Sequence, residues 1–70
     1  MTFDQIRREA VDQGWDVEEE DGVWWFRAPS QRLELEVRFA GPFDDPRRLR
    51  HLYLNLVARG LRRPPAGSGD

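Results

Sequence analysis

Seventy residues, no cysteine and a formal net charge of −2 at neutral pH exclude disulfides, thiolate chemistry and more than one small domain. A chain of this size buries only about 60% of the surface it exposes when unfolded, so its core must come from three Trp, four Phe, one Tyr and the Leu/Val/Ile set. No apolar run approaches the ~20 residues of a membrane-spanning helix, and the first residues open into a helical pattern rather than a signal peptide; a cytoplasmic location is expected.

All eleven basic residues are Arg, and the charge is unevenly laid out. Residues 1–26 hold eight acids against Arg7 and Arg8, whereas residues 47–70 hold six Arg against Asp70. This polarity suits orientation on a charged partner, or else marks two solvated faces.

In chain order, Thr2-Phe3-Asp4-Gln5 fits a capping box, with Asp4 where the helix dipole favours negative charge. Phe3, Ile6, Ala10 and Val11 follow at helical spacing, and Gly14 is placed to end a helix over about 3–13. Trp15 to Glu20 predicts a first strand and Val23 to Arg27 a second, joined by Asp21-Gly22, the dipeptide suited to a two-residue type I′ turn. That turn sets Glu20 opposite Val23, Glu19 opposite Trp24, Glu18 opposite Trp25 and Val17 opposite Phe26. Trp15, Val17, Trp24 and Phe26 then share the inner face, while Glu18, Glu20, Val23, Trp25 and Arg27 share the other.

Arg32 to Phe39 alternates without a break and predicts a third strand, with Leu33, Leu35, Val37 and Phe39 inward and Arg32, Glu34, Glu36 and Arg38 outward. Asp45 reads as an N-cap before Pro46. Leu49, Leu52, Tyr53, Leu56 and Val57 form an apolar stripe that ends near Gly60. Leu61 is placed to pack back on the core, and residues 63–70 are expected to be a disordered tail. The expected fold is α+β in the order α-β-β-β-α, one domain over residues 1–62, with two helices on one face of a three-stranded antiparallel sheet. Trp24 is expected among the costliest residues to truncate.

The chemistry-bearing residues are few. His51 is the single histidine, with no second His or Cys to complete a metal site. Asp44-Asp45 and Glu18-Glu19-Glu20-Asp21 could form carboxylate-only sites, but read more simply as a helix cap and an acidic hairpin tip. No Gly-rich phosphate loop is present and no cofactor is expected. Arg47, Arg48 and Arg50, with His51 beside them, crowd the start of the last helix, where Arg works against the helix dipole. Recognition of phosphate or of an acidic partner would explain them. Trp25, among Arg27, Glu34, Glu36 and Arg38 on the open face, is either an interface anchor or an indole lying flat on Arg27 or Arg38.

Three stretches carry a family resemblance: Gln13-Gly14-Trp15, Asp21 through Pro29, and Asp45 through Leu61. Their order and spacing over about residues 3–61 resemble the HicA family of small toxins and related short proteins of actinobacteria and their phages, which share a double-stranded-RNA-binding-domain-like fold. HicA toxins are ribonucleases that cleave mRNA and are neutralised by a HicB antitoxin. Their catalytic His follows a Gly-Ser or Gly-Gly pair at the start of the second strand. Here the matching position is Val23, or Trp24 if the turn is one residue longer, and neither can move a proton. His51 does not match that position.

The resemblance therefore implies the fold without the nuclease site. The expected function is a non-catalytic binding module, in the manner of a phage regulatory protein, that takes a protein partner through Trp25, Arg27, Glu34, Glu36 and Arg38. The alternatives are an mRNA-cleaving toxin that has recruited His51 or an Arg/carboxylate pair, and direct binding of RNA or DNA through the basic last helix. No membrane partner is expected.

Overall fold

Thr2 opens the first helix as the capping box predicts. Its hydroxyl accepts from the Gln5 backbone N–H at 3.1 Å, and the Gln5 side chain accepts from the Thr2 N–H at 2.8 Å, so two donors at the helix start are satisfied reciprocally. The computed structural model describes residues 1–30 and 36–63. Helix α1 spans Phe3–Asp12, and Asp4 in its first turn pairs with Arg7 and Arg8. Val11, expected on the inner stripe, is exposed.

Both helices stop by the same device. After α1, Gly14 has φ +89°; its N–H donates to the Val11 carbonyl at 3.0 Å, and the Trp15 N–H donates to the Ala10 carbonyl at 2.9 Å. These are the two bonds of a Schellman motif, which needs a left-handed residue and so favours glycine. Helix α2, Pro46–Ala58, ends likewise. Gly60 has φ +115°, with Gly60 N–H to Val57 carbonyl at 3.1 Å and Leu61 N–H to Leu56 carbonyl at 2.9 Å. In both cases the residue after the glycine is apolar and sealed in the core: Trp15 is 4% exposed and Leu61 2%. Trp15, expected to begin the first strand, belongs instead to this helix stop.

Strand β1 is Asp16–Glu20 and β2 is Val23–Arg27. Asp21 and Gly22 have φ +53° and +83°, and the pairs run from Glu20–Val23 to Asp16–Arg27, the register that an Asp-Gly turn dictates. Strand β3, Val37–Phe39, pairs antiparallel with β2, setting Trp24 opposite Phe39 and Phe26 opposite Val37. The sheet order is β1-β2-β3. Of the longer strand expected over 32–39, Arg32, Leu33, Glu34 and Leu35 lie outside the described residues, as do residues 64–70 of the expected tail. A cis Gly41-Pro42 bond lies in the connection to α2. There the Asp45 carboxylate accepts from the Arg47 N–H at 3.0 Å, with Pro46 in the first turn.

One buried cluster joins Ile6 and Ala10 of α1, Leu49, Leu52 and Leu56 of α2, Phe26, Val37 and Phe39 of the sheet, and Trp15, Ala28 and Leu61. The fold is thus α-β-β-β-α, with both helices on one sheet face. Three contacts align them. Near their starts the Phe3 ring lies 4.9 Å from Phe43, just ahead of α2. Midway, the Tyr53 hydroxyl donates to Glu9 at 2.9 Å. At their ends the Gln13 side chain donates to the Arg62 carbonyl at 2.7 Å and accepts from the Arg62 N–H at 2.8 Å. Start meets start and end meets end, so the helices run parallel.

Phe26, Ile6 and Leu56 are the large side chains most fully sealed. Trp24, expected with them, is only half-buried. It sits one pair from the hairpin turn, where Phe3 from the start of α1 packs edge-on at 5.1 Å, whereas Phe26 lies further in, toward the middle of the sheet. Phe26→Ala should therefore cost about 3–5 kcal/mol, comparable to the whole stability of a domain this small. Trp24→Ala should cost distinctly less in urea denaturation followed by circular dichroism. The reverse order would place the centre of the core at the wrong residue.

Tyr53 gives a second test. Burial first, then its hydrogen bond to Glu9, raises the hydroxyl pKa above its usual 10.0. The folded state therefore resists ionisation. Its contribution is complete below the unfolded pKa and is lost as pH rises through the folded value. Thermal melts should show a loss of stability beginning above about pH 10 that is diminished in Tyr53→Phe.

Candidate binding surfaces

Side-chain alternation turns one sheet face away from both helices. At its centre the Arg27 guanidinium joins all three strands' neighbourhoods: 2.6 Å from the Glu18 carboxylate, 3.8 Å from that of Asp16 and 2.6 Å from that of Glu36. Hydrogen bonds to Glu18 and then Glu36 raise its pKa further and keep it charged. Arg27 and Glu36, both expected to meet a partner, are thus already engaged with each other across the sheet. Trp25 lies beside them, half-buried, with the Arg27 guanidinium carbon 5.9 Å and that of Arg38 5.3 Å from its ring centroid. Of the two expectations for this indole, the packing of guanidinium against the ring is the one observed. Glu18, Glu19, Glu20, Trp25 and Arg27 line a groove of about 550 Å³ beside it. Glu34 lies outside the described residues.

The basic residues of α2 do not act as one patch. At about 100° per residue, Arg48, His51 and Asn55 share one flank of the helix, Arg50 falls on the opposite flank and Arg47 points away from the core. Arg48, His51 and Asn55 line a cleft of about 210 Å³ with Val37, Arg38, Phe39 and Leu52. The expected group of Arg47, Arg48, Arg50 and His51 is therefore divided, and Arg38, assigned to the sheet face, joins two of its members. Val37 and Phe39 point inward and Arg38 outward, yet all three line the cleft, so it opens along the edge of β3 that faces away from β2. Arg48 is held by the ring of Phe39 at 5.9 Å and by a long bond to the Gly41 carbonyl at 3.5 Å. Asn55 was not anticipated, although its spacing from Arg48 and His51, i, i+3, i+7, was available to show it.

The acidic candidates have structural roles. Asp45 caps α2, and the Glu19 carboxylate accepts from the Gly22 N–H at 2.8 Å within the hairpin tip. Among the described residues no group of three or more His, Asp or Glu could hold a metal ion, and no helix is long and apolar enough to cross a membrane.

Comparison with protein-family models, with curated proteins and with solved structures finds no match for the chain. Its surfaces are interpreted from their own chemistry. Arg27→Gln should leave Asp16, Glu18 and Glu36 facing one another without a counter-charge, lowering the urea midpoint. That loss should shrink in about 1 M salt, where like-charge repulsion is screened within roughly 3 Å. Arg50→Gln serves as the surface control and should leave the midpoint unchanged. A midpoint equally unmoved in Arg27→Gln would show that the ion-pair network does not support the sheet.

Proposed function

We propose that this chain is a non-catalytic binding module that takes a protein partner on the open face of its sheet, as a HicA-like domain lacking the nuclease histidine would. The observation that carries this is Trp25: a large indole on the wet side of the sheet, steadied by Arg27 and Arg38 and bordering an acidic groove. Rigid aromatic side chains of this kind dominate binding energy at interfaces, because they contribute a large contact area while giving up little rotamer freedom. Glu18, Glu19 and Glu20 set the sign of the groove. Its partner would present Arg or Lys next to an apolar group that covers the indole.

Three side chains bear on the nuclease alternative. Val23, which the two-residue turn sets at the position of the family's catalytic His, and Trp24, the match for a turn one residue longer, carry no group that titrates near neutral pH. His51, the one imidazole in the chain, lines a cleft to which the described residues contribute no carboxylate, so among them it has no second acid or base beside it for phosphodiester cleavage. A toxin acting through His51 would arrest growth on expression and lose RNA cleavage in His51→Ala.

Binding of a partner recovered from the host should weaken by at least about 30-fold in Trp25→Ala, the scale of an interface hot spot. It should also weaken on charge reversal at Glu18 and Glu20, with circular dichroism unchanged. Retention of full affinity in all three variants would remove the open face as the docking surface.

A further inference from the structure

We infer that the edge of β1 facing away from β2 docks a basic, extended segment of a protein partner, which adds to the sheet as a fourth, antiparallel strand. This rests on the protein-partner reading above and names how such a partner is held. The main chain is the first observation. In a two-residue hairpin the residues flanking the turn exchange both main-chain bonds, and such pairs alternate with pairs that exchange none. Here Glu20–Val23, Glu18–Trp25 and Asp16–Arg27 are the bonded pairs. Val17 and Glu19 therefore turn their N–H and C=O groups away from β2, at the end of the strand order. Among the described residues, no main-chain bond from beyond the hairpin reaches either of them. Two donors and two acceptors stand in line there, at the spacing an added strand uses.

Access is the second. Glu18, Glu19 and Glu20 are exposed. Glu19 shares the helix side with Trp24, yet it lines the same groove as Glu18, Glu20, Trp25 and Arg27, so that groove reaches the edge of β1. The opposite side of the sheet offers less, since β3 has three residues and α2 packs beside it. Charge then selects the occupant. No basic residue lies on β1. Asp16 and Glu18 share the Arg27 guanidinium with Glu36, and among the described residues Glu20 forms no ion pair. A second copy of β1 would set carboxylate against carboxylate, whereas a basic strand relieves the excess. Its side chains alternate: Arg or Lys beside Asp16, Glu18 and Glu20, with an apolar residue between them against the half-buried Val17. The main chain supplies the docking and the acids choose what docks.

The test is an NMR titration of the intact chain with a capped five-residue peptide of alternating Arg and Val, beginning and ending in Arg. Saturable shifts are expected along β1, and hydrogen exchange at the Val17 and Glu19 amides should slow at least tenfold at saturation. Methylating the main-chain nitrogens of the two Val, which face β1, should lower affinity at least tenfold. Methylating that of the central Arg, which faces away, should leave it unchanged. The same peptide with Glu for Arg should not bind, and Glu20→Arg should weaken the basic one. Absence of saturation, or equal binding of the Val-methylated peptide, would overturn the edge. So would a dimer of the chain alone in which the Val17 and Glu19 amides are already protected, since a second copy would then be the occupant. Peptide binding without that protection, but lost in Trp25→Ala, would overturn the edge and leave the open-face reading standing. Protection at the edge, with host-partner binding indifferent to Trp25→Ala, would do the reverse.

Discussion

Two helices and three strands can dry only one side of a sheet, and most of this molecule's surface chemistry follows from that. Putting Trp24 and Phe26 toward the helices commits Trp25 and Arg27 to the opposite side, because neighbours on a strand alternate. The position of this half-buried indole is thus fixed by register rather than by any partner. The choice of residue is not. A Thr or Glu would satisfy the same register, whereas an aromatic ring there leaves apolar surface in contact with water. Arg27 and Arg38 limit that exposure by lying against the ring, and Arg27 in turn collects carboxylates from β1 and from the residue ahead of β3.

Charge is sorted by the same topology. Sheet order places β1, which carries Glu18, Glu19 and Glu20, at one edge, and β3, with Arg38, Arg48 and His51 around it, at the other. The asymmetry between the two halves of the sequence therefore becomes an asymmetry across the width of the sheet. Like charges on an edge strand oppose its pairing with a second copy of itself, so the acidic edge is guarded against self-association while remaining attractive to a basic segment.

How much of this could be read beforehand divides along local and tertiary lines. Thr2 with Gln5, Asp21-Gly22, Asp45-Pro46 and the two glycines Gly14 and Gly60 each specify a conformation through atoms within a few residues, and each is found as expected. Trp15 was misplaced because an apolar residue after a helix-ending glycine fits a strand start and a Schellman stop equally well. Trp24 was overrated because alternation assigns a face but not a distance from the middle of that face. Phe43 showed no signal, since an aromatic in a loop has no periodicity, although it packs against both Phe3 and Phe39. The placing of Arg48 and His51, rather than Arg50, beside β3 depends on which flank of α2 turns toward that strand, a matter settled only by how the helix seats on the sheet.

The paired bonds between Gln13 and the Arg62 backbone have a mechanical consequence. They form a latch just past the far ends of the two helices, between residues 49 positions apart in the chain and directly beside Trp15 and Leu61. Tension applied beyond Arg62 would be transmitted through this latch to α1 as well as to α2. Peeling of the last helix would thus drag on the first, coupling the outer layer into one cooperative piece instead of letting its end fray alone.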